Sequence, residues 1–244
     1  MIGVTIGVGE GYAEEARASA EAAAKYLCLS DVLILGDDHL RQYVGEATCA
    51  EDVYRLKFFI PQIVGLATPY VYFDADWRIR RHPPMQVMLQ VNAASTICAV
   101  RDRPYAVPTH FPDFQFDYAN AGFYVMPGVV GHHVASWCLN HICGDFLAEQ
   151  TTWNRAIRAL GLPIRWLNRS MNWMPLGGEL AVPVDPIASH AKDHPPMEGI
   201  QPNVQAMVEN STPTLLADGW TTYGGAWVYD GAKAIVFHSD GSLA

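Results

Sequence analysis

The chain has 244 residues, with 16 Lys and Arg against 25 Asp and Glu and a formal charge of −9, so it offers no global electrostatic footprint for nucleic acid. Half of its residues are hydrophobic, yet no segment reaches the ~20 continuous apolar residues of a membrane span, and a soluble chain is expected. The length allows one large α/β domain with at most a small appendage. The five cysteines (Cys28, Cys49, Cys98, Cys138, Cys143) are odd in number and lack a C-x-x-C, which predicts reduced thiols and a cytoplasmic location.

The opening MIGVTIGVGE lacks a basic n-region and a long apolar stretch, so it reads as a first strand and not as a signal peptide. Ile2 to Val8 is a β-branched run that breaks at Gly7-Val8-Gly9-Glu10-Gly11-Tyr12, and the alanine-rich stretch from Ala13 to Leu29 predicts a helix. Asp31 to Gly36 is a second buried strand ending at Asp37-Asp38. Strands alternating with helices imply a parallel sheet with ligands beyond the carboxyl ends of its strands. Gly7, Gly9 and Gly11 form G-x-G-x-G, which is not the dinucleotide fingerprint G-x-G-x-x-G.

Ala50 to Ile63 predicts a helix carrying Tyr54, Arg55 and Lys57, two cations that each read as ordinary solvated helix charges. Pro69 to Ile79, PYVYFDADWRI, is the most informative stretch. The run Tyr70-Val71-Tyr72-Phe73 is a buried strand leading straight into Asp74 and Asp76, whose i, i+2 spacing on extended backbone aims both carboxylates to one side. Two like charges held that close resist joint ionisation, which a divalent metal relieves.

Ser95 to Val100 predicts another strand, and Tyr105 to Tyr118, broken by Pro108 and Pro112, a loop. Tyr118 to Met126 is an apolar strand whose Asn120 and Gly122 permit close approach of a ligand. Val129 to Leu147 has a helix pattern with His133, Trp137 and His141 on one face. Without H-E-x-x-H or paired C-x-x-C these histidines read as core and surface residues and not as a zinc site. Glu149 to Leu160 predicts a helix, Ile164 to Pro175 a strand running into a turn, and Gln201 to Glu209 a helix. Residues 211–244, with alternating Trp227, Tyr229, Ile235 and Phe237 and the turns Asp230-Gly231 and Asp240-Gly241, predict a small β appendage packed on a main domain of residues 1–210.

In this order the pieces resemble the metal-dependent glycosyltransferases of the GT-A fold, and most closely glycosyltransferase family eight, which includes glycogenin and the lipooligosaccharide galactosyltransferases. The matching stretches are Tyr54-Arg55-Leu56, Tyr72-Phe73-Asp74-Ala75-Asp76, Asn120-Ala121-Gly122, Glu149-Gln150 with Asn154, Leu167 to Pro175, and His190 with Lys192. They span roughly residues 1–195, and it is their succession that is specific, since D-x-D alone is weak. The resemblance implies a Rossmann-like mixed sheet flanked by helices, with Asp74, Asp76 and His190 holding Mn²⁺ or Mg²⁺ against the diphosphate of a nucleotide sugar, UDP-linked in the first instance. It places Val8, Gly9, Tyr12 and Asp37 at the base and ribose, and Arg55, Lys57, Asp74 and Lys192 at the phosphates and sugar. Asn120 and Glu149 fall at the sugar hydroxyls, and Gln150 beside the reacting carbon, where its carbonyl would steady developing positive charge. An amide cannot act as the general base of an inverting enzyme, so retention is expected.

The chain departs from the family's pattern twice. Glu149-Gln150-Thr151 stands where Asp-Gln-Asp is usual, and His190-Ala191-Lys192 is a compressed form of a longer His-to-Lys motif, which makes His194 an alternative ligand. A nucleotidyltransferase of the same fold would carry Arg and Lys in the loop after the first strand, and Gly9-Glu10-Gly11-Tyr12-Ala13 has neither. A nucleotide-sugar or carbohydrate binding module without turnover is the reading from another class. The acceptor and the oligomeric state are not encoded in any motif.

Overall fold

The structure is a computed structural model and describes residues 1–47, 50–85, 87–88, 95–101, 118–142, 148–168, 171–172, 187–190, 213–215, 220–223, 226–229 and 234–236. Ile2–Ile6 (β1), Asp31–Leu35 (β2) and Tyr70–Phe73 (β3) lie side by side and parallel, with β1 between the other two. Trp77–Ile79 (β4) leaves this sheet. Ile97–Arg101 (β5), Ala119–Met126 (β6) and Ile164–Leu167 (β7) complete it in the order β2-β1-β3-β6-β5-β7, with β6 antiparallel to both neighbours. The sheet is therefore mixed, where strand-helix alternation predicts a parallel one.

Side chains on successive strand residues point to opposite faces, and here both faces are covered. Tyr70, Tyr72 and Tyr124 share one core with Leu56, Ile60, Val134 and Trp153, whereas Val71, Phe73, Phe123 and Val125 share the other with Ala23, Leu27 and Trp77. Strand β6 is buried along its whole length, which explains its continuous apolar character.

Helix α1 (Glu10–Leu27) covers the second face, starting three residues before Ala13 because Gly9 makes the turn at a φ of +81°. Asp37–Tyr43 (α2) follows β2 directly. The expected helix from Ala50 to Ile63 is broken into Ala50–Arg55 (α3), a 3₁₀ turn Leu56–Phe59 and Ile60–Val64 (α4), with Pro61 in the first turn of α4 where a missing N–H does no harm. Gly128–Asn140 (α5) ends well before Leu147. The cause is local: the ring Nδ1 of His141 takes the Trp137 carbonyl at 2.8 Å, while its backbone N–H turns to the Cys138 carbonyl. Ala148–Ala159 (α6) packs beside α5.

Outside the main sheet, β4 pairs antiparallel with Ala188–His190 (β8). Pro213–Leu215 (β9), Trp220–Tyr223 (β10), Ala226–Tyr229 (β11) and Ala234–Val236 (β12) form a four-stranded antiparallel sheet of their own. The expected loop from 105 to 117, the helix from 201 to 209 and the turn at 240–241 lie outside the described residues. Among the described residues no helix is long and apolar enough to cross a membrane.

Gly128 opens α5 where the chain leaves β6, and a Cβ there would stand 2.2 Å from the Ala67 carbonyl carbon and 2.6 Å from the Thr68 nitrogen. Backbone cannot yield as a flexible side chain would. Gly128→Ala should therefore cost about 2–3 kcal/mol, by the usual scale of overpacking, read as a lower midpoint in urea unfolding. An unchanged midpoint would show that α5 and the 67–68 turn shift apart freely.

Candidate active site

The turn Asp74-Ala75-Asp76 is held from behind by backbone and side chains. Asp74 N–H donates to the Gly122 carbonyl at 2.9 Å, and Trp77 N–H closes the turn on the Asp74 carbonyl at 3.0 Å. The Ala75 carbonyl accepts from Ser19 of α1 at 2.7 Å and from Arg78 Nη1 at 2.5 Å, and these two donors also reach each other and the Trp77 carbonyl. With its carbonyls fixed on the α1 side, the turn presents two half-buried carboxylates at the end of β3.

Asp74 Oδ1 accepts from the Tyr72 hydroxyl at 2.6 Å and lies 3.1 Å from Lys57 Nζ. Lys57 also meets Glu149 Oε1 at 2.9 Å and sits 4.8 Å from the centre of the Tyr72 ring. Its side chain is only 5% exposed, against 24% for Asp74 and 14% for Glu149. Burial alone would push the Lys57 ammonium down, but the Asp74 and Glu149 carboxylates outweigh it and hold Lys57 above the ordinary lysine range. Burial, then the Asp74 charge and hydrogen bond, push the Tyr72 phenol well above its ordinary value, so Tyr72 stays a donor.

This corrects the reading of Lys57 as a solvated helix charge. The tight 3₁₀ turn carries it inward between Leu56 and Phe58, both buried. A lysine within Leu-Lys-Phe-Phe-Ile was the available signal of burial. Arg55, by contrast, is exposed and pairs with Asp52 at 3.5 Å.

A row of buried amides adjoins the acids. Gln150 Oε1 accepts from Ala121 N–H at 2.9 Å and from Asn120 Nδ2 at 3.2 Å. Asn120 Oδ1 accepts from Gly122 N–H at 2.8 Å and from Asn172 Nδ2 at 2.7 Å. Asn154 brackets Ala119, accepting its N–H and donating to its carbonyl, both at 2.8 Å. The Gln150 carbonyl, set beside the reacting carbon by the resemblance, here accepts from the backbone of β6, where Ala121 N–H needs an acceptor inside the core. Thr151, where the resemblance leads one to look for an acid, is fully buried and bonds the Tyr118 hydroxyl at 3.0 Å. Ser19 and Asn172 went unassigned in the sequence because each acts through contacts with distant segments, whereas Tyr72 and Arg78 act on the neighbouring Asp74-Ala75-Asp76 turn.

On the other side of β1, Gly9 N–H donates to Asp37 Oδ1 at 3.2 Å, and Tyr12 is 65% exposed beside it. On α5, Trp137 stacks on His141 at 4.1 Å. His190 is described by its backbone alone, and its Cα pairs with that of Trp77, the residue after Asp76. Lys192, His194 and Asp117 lie outside the described residues. Among the described residues no three His, Cys, Asp or Glu side chains are grouped so as to hold a metal ion. Asp74, Asp76 and Glu149 against Lys57 leave these four side chains with a formal charge of minus two, an excess of the sign, and of the oxygen donor type, that a divalent cation would suit.

Sheet order and flanking helices are those of the GT-A glycosyltransferase fold. The galactosyltransferase LgtC, solved in complex with donor and acceptor sugar analogs, is similar at a TM-score of 0.53 and 11% identity over 78% of this chain and 87% of that chain. An active-site mutant of LgtC is similar at 0.52 and 10% identity over 80% and 89%. The bifunctional glycosyltransferase WbbM is similar at 0.52 and 12% identity over 70% of this chain and 39% of that one. No protein-family model matches the chain, and no curated protein matches it in sequence.

Replacing Lys57 with Met leaves Asp74 and Glu149 facing each other without their cation, which should cost about 3 kcal/mol. Because the folded Lys57 value lies above the unfolded one of about 10.4, its contribution is fully present below that pH and is lost only as pH rises toward the folded value. Urea unfolding should therefore show a constant gap between wild type and Lys57→Met from about pH 7 to about pH 10. A gap that closes within that window would mean that Lys57 is not held charged by the two acids.

Proposed function

We propose that the chain is a glycosyltransferase that moves a sugar from a nucleotide-diphosphate sugar, UDP-linked, to an acceptor hydroxyl with retention of configuration. The observation that carries this is the β4–β8 pairing, which brings His190 across more than a hundred residues to the end of the Asp74-Ala75-Asp76 turn. The backbone of His190 is thereby set next to the turn that carries the two carboxylates at the end of β3, inside a fold shared with LgtC and WbbM.

In this proposal Asp74, Asp76 and His190 hold the divalent cation, which when bound stabilises the charge that develops on the departing diphosphate. The protein does the rest. Gly9, Tyr12, Asp37 and Val8 receive the base and ribose beyond the carboxyl ends of β1 and β2, exposed Arg55 reaches toward phosphate, and the resemblance assigns Lys192 to the same role. Asn120 and Glu149 receive the sugar hydroxyls, with Lys57 fixing the Glu149 carboxylate and Gln150 fixing Asn120. Retention rests on what lines the acceptor side: Gln150 is an amide, and Glu149 is directed at Lys57, so neither is placed to take a proton from a back-side acceptor. Among the described residues Cys28, Cys98 and Cys138 form no disulfide, which accords with a reducing, cytoplasm-like compartment.

Incubation with a panel of UDP-sugars and Mn²⁺ tests the proposal through release of UDP, with anomeric proton couplings of the product reporting stereochemistry. Slow hydrolysis of at least one donor is expected even without acceptor, and Asp76→Ala should abolish Mn²⁺-dependent donor binding in calorimetry while the protein stays folded. Donor binding with no UDP release under any acceptor would make the chain a binding module instead. A β-linked product from an α-linked donor would overturn retention.

A further inference from the structure

Two backbone amides settle the orientation of the Gln150, Asn120 and Asn172 side chains in the row beside the acids. Ala121 N–H donates to Gln150, so the atom it meets is the carbonyl oxygen, and Asn120 must turn its Nδ2 to that same atom. Gly122 N–H donates to the other end of Asn120, which is therefore Oδ1. Asn172 meets this Oδ1 at 2.7 Å and can do so only with Nδ2. Its own Oδ1 is left at the end of the row.

That oxygen is buried, in a residue 2% exposed, and has no hydrogen-bond partner among the described residues. Exchanging the ends of the Asn172 amide would not help, because it would set two oxygens against each other at Asn120. Buried carbonyl oxygens are nearly always satisfied, and an exception calls for a partner that comes and goes. Nor is Asn172 loosely placed. The preceding Met171 carbonyl accepts from the Trp77 indole at 3.0 Å, and Met171 N–H donates to the Asn168 carbonyl. Trp77 follows Asp76 directly, and Gly122, whose N–H bonds Asn120, gives its carbonyl to Asp74 N–H. The unpaired acceptor thus belongs to the same end of β6 as the acids.

We propose that Asn172 is a specificity-determining residue whose Oδ1 accepts a hydrogen bond from a hydroxyl of the sugar being transferred. This rests on the proposed UDP-sugar site. A neutral carbonyl oxygen in an amide-lined wall matches a neutral donor. The sugar supplies such donors, whereas the diphosphate carries acceptors only.

Calorimetry in the presence of Mn²⁺ tests this with UDP, UDP-galactose, UDP-glucose and their monodeoxy analogues against wild type, Asn172→Leu and Asn172→Ser. The affinity for UDP should stay within about twofold, while that for the preferred UDP-sugar falls roughly tenfold, the scale of one lost hydrogen bond. One monodeoxy analogue should lose as much with wild type and lose nothing further with either variant, the signature of a direct pair in a double-mutant cycle. Should the Leu variant fail to fold, the smaller, polar Ser variant carries the same comparison. Equal losses for UDP and UDP-sugar, or no coupled hydroxyl, would overturn the assignment; a lower melting temperature without coupling would mean that Oδ1 serves a structural water. If wild type binds neither UDP nor any UDP-sugar, the UDP-sugar site itself falls and this assignment with it.

Discussion

One buried ammonium ties the site together. Burying an isolated charge is costly, and Lys57 tolerates it because two carboxylates and the face of Tyr72 surround its Nζ. The three charged groups come from the 3₁₀ turn before β3, the end of β3 and the first turn of α6, segments that also meet in the core around Leu56, Tyr72 and Trp153. Glu149 reaches Lys57 from the start of a helix, and the methylene by which Glu exceeds Asp goes into that reach. The same contacts leave one cation among three formal negative charges, so the arrangement keeps an acidic character at the end of β3.

Precision at this end of the sheet comes from regular elements rather than loops. The Asp74 turn is fastened to α1 through Ser19, to β4 through Arg78 and to β6 through Gly122. The amides behind it are fastened to backbone N–H groups of β6, which cannot change partner without opening the sheet. Side chains locked by such contacts keep their geometry when a ligand arrives, the condition for binding charge that develops only during reaction. The tyrosines do a second job. Tyr72 stacks on Tyr124 at 5.1 Å in the core and still donates to Asp74 at its rim, so one side chain links apolar packing to the acid.

What was legible in the sequence was local. The apolar run of β3 ending in D-x-D, the alanine-rich α1 and the Asn-Ala-Gly start of β6 all declare themselves through periodicity, propensity or glycine. Helix ends were less legible: Gly9 reads as part of a loop until its positive φ shows it starting α1, and α5 stops where the His141 ring captures a carbonyl that a continuing helix would have used. The antiparallel setting of β6 was hidden as well, since its burial on both faces gives the same apolar run as a parallel strand. Least legible was Lys57. Set between Leu56 and Phe58-Phe59, this cation had a local hint of burial, but its acidic partners, 17 and 92 positions away, could not be read from the sequence.

The placement of His190 raises a different physical question, because among the described residues β8 is only three residues long and pairs with β4 alone. Two-stranded ribbons are marginal by themselves. Here apolar burial supplies what the ladder lacks: Ile187 and Ala188 are buried in the core that also holds Trp77, Ile79 and Met171, and the Ile187 carbonyl accepts from Arg80 N–H at 2.9 Å. Trp77 is the hinge of this arrangement. It stacks on Phe123 of the main sheet at 4.8 Å, pairs with His190 across the ribbon and donates its indole N–H to the Met171 carbonyl. The residue after the second aspartate therefore bears on the backbone at both His190 and Met171-Asn172, so two segments far apart in sequence are referenced to one buried side chain. Packing at Trp77 does for these segments what the Lys57 ion pairs do for α6 and the end of β3.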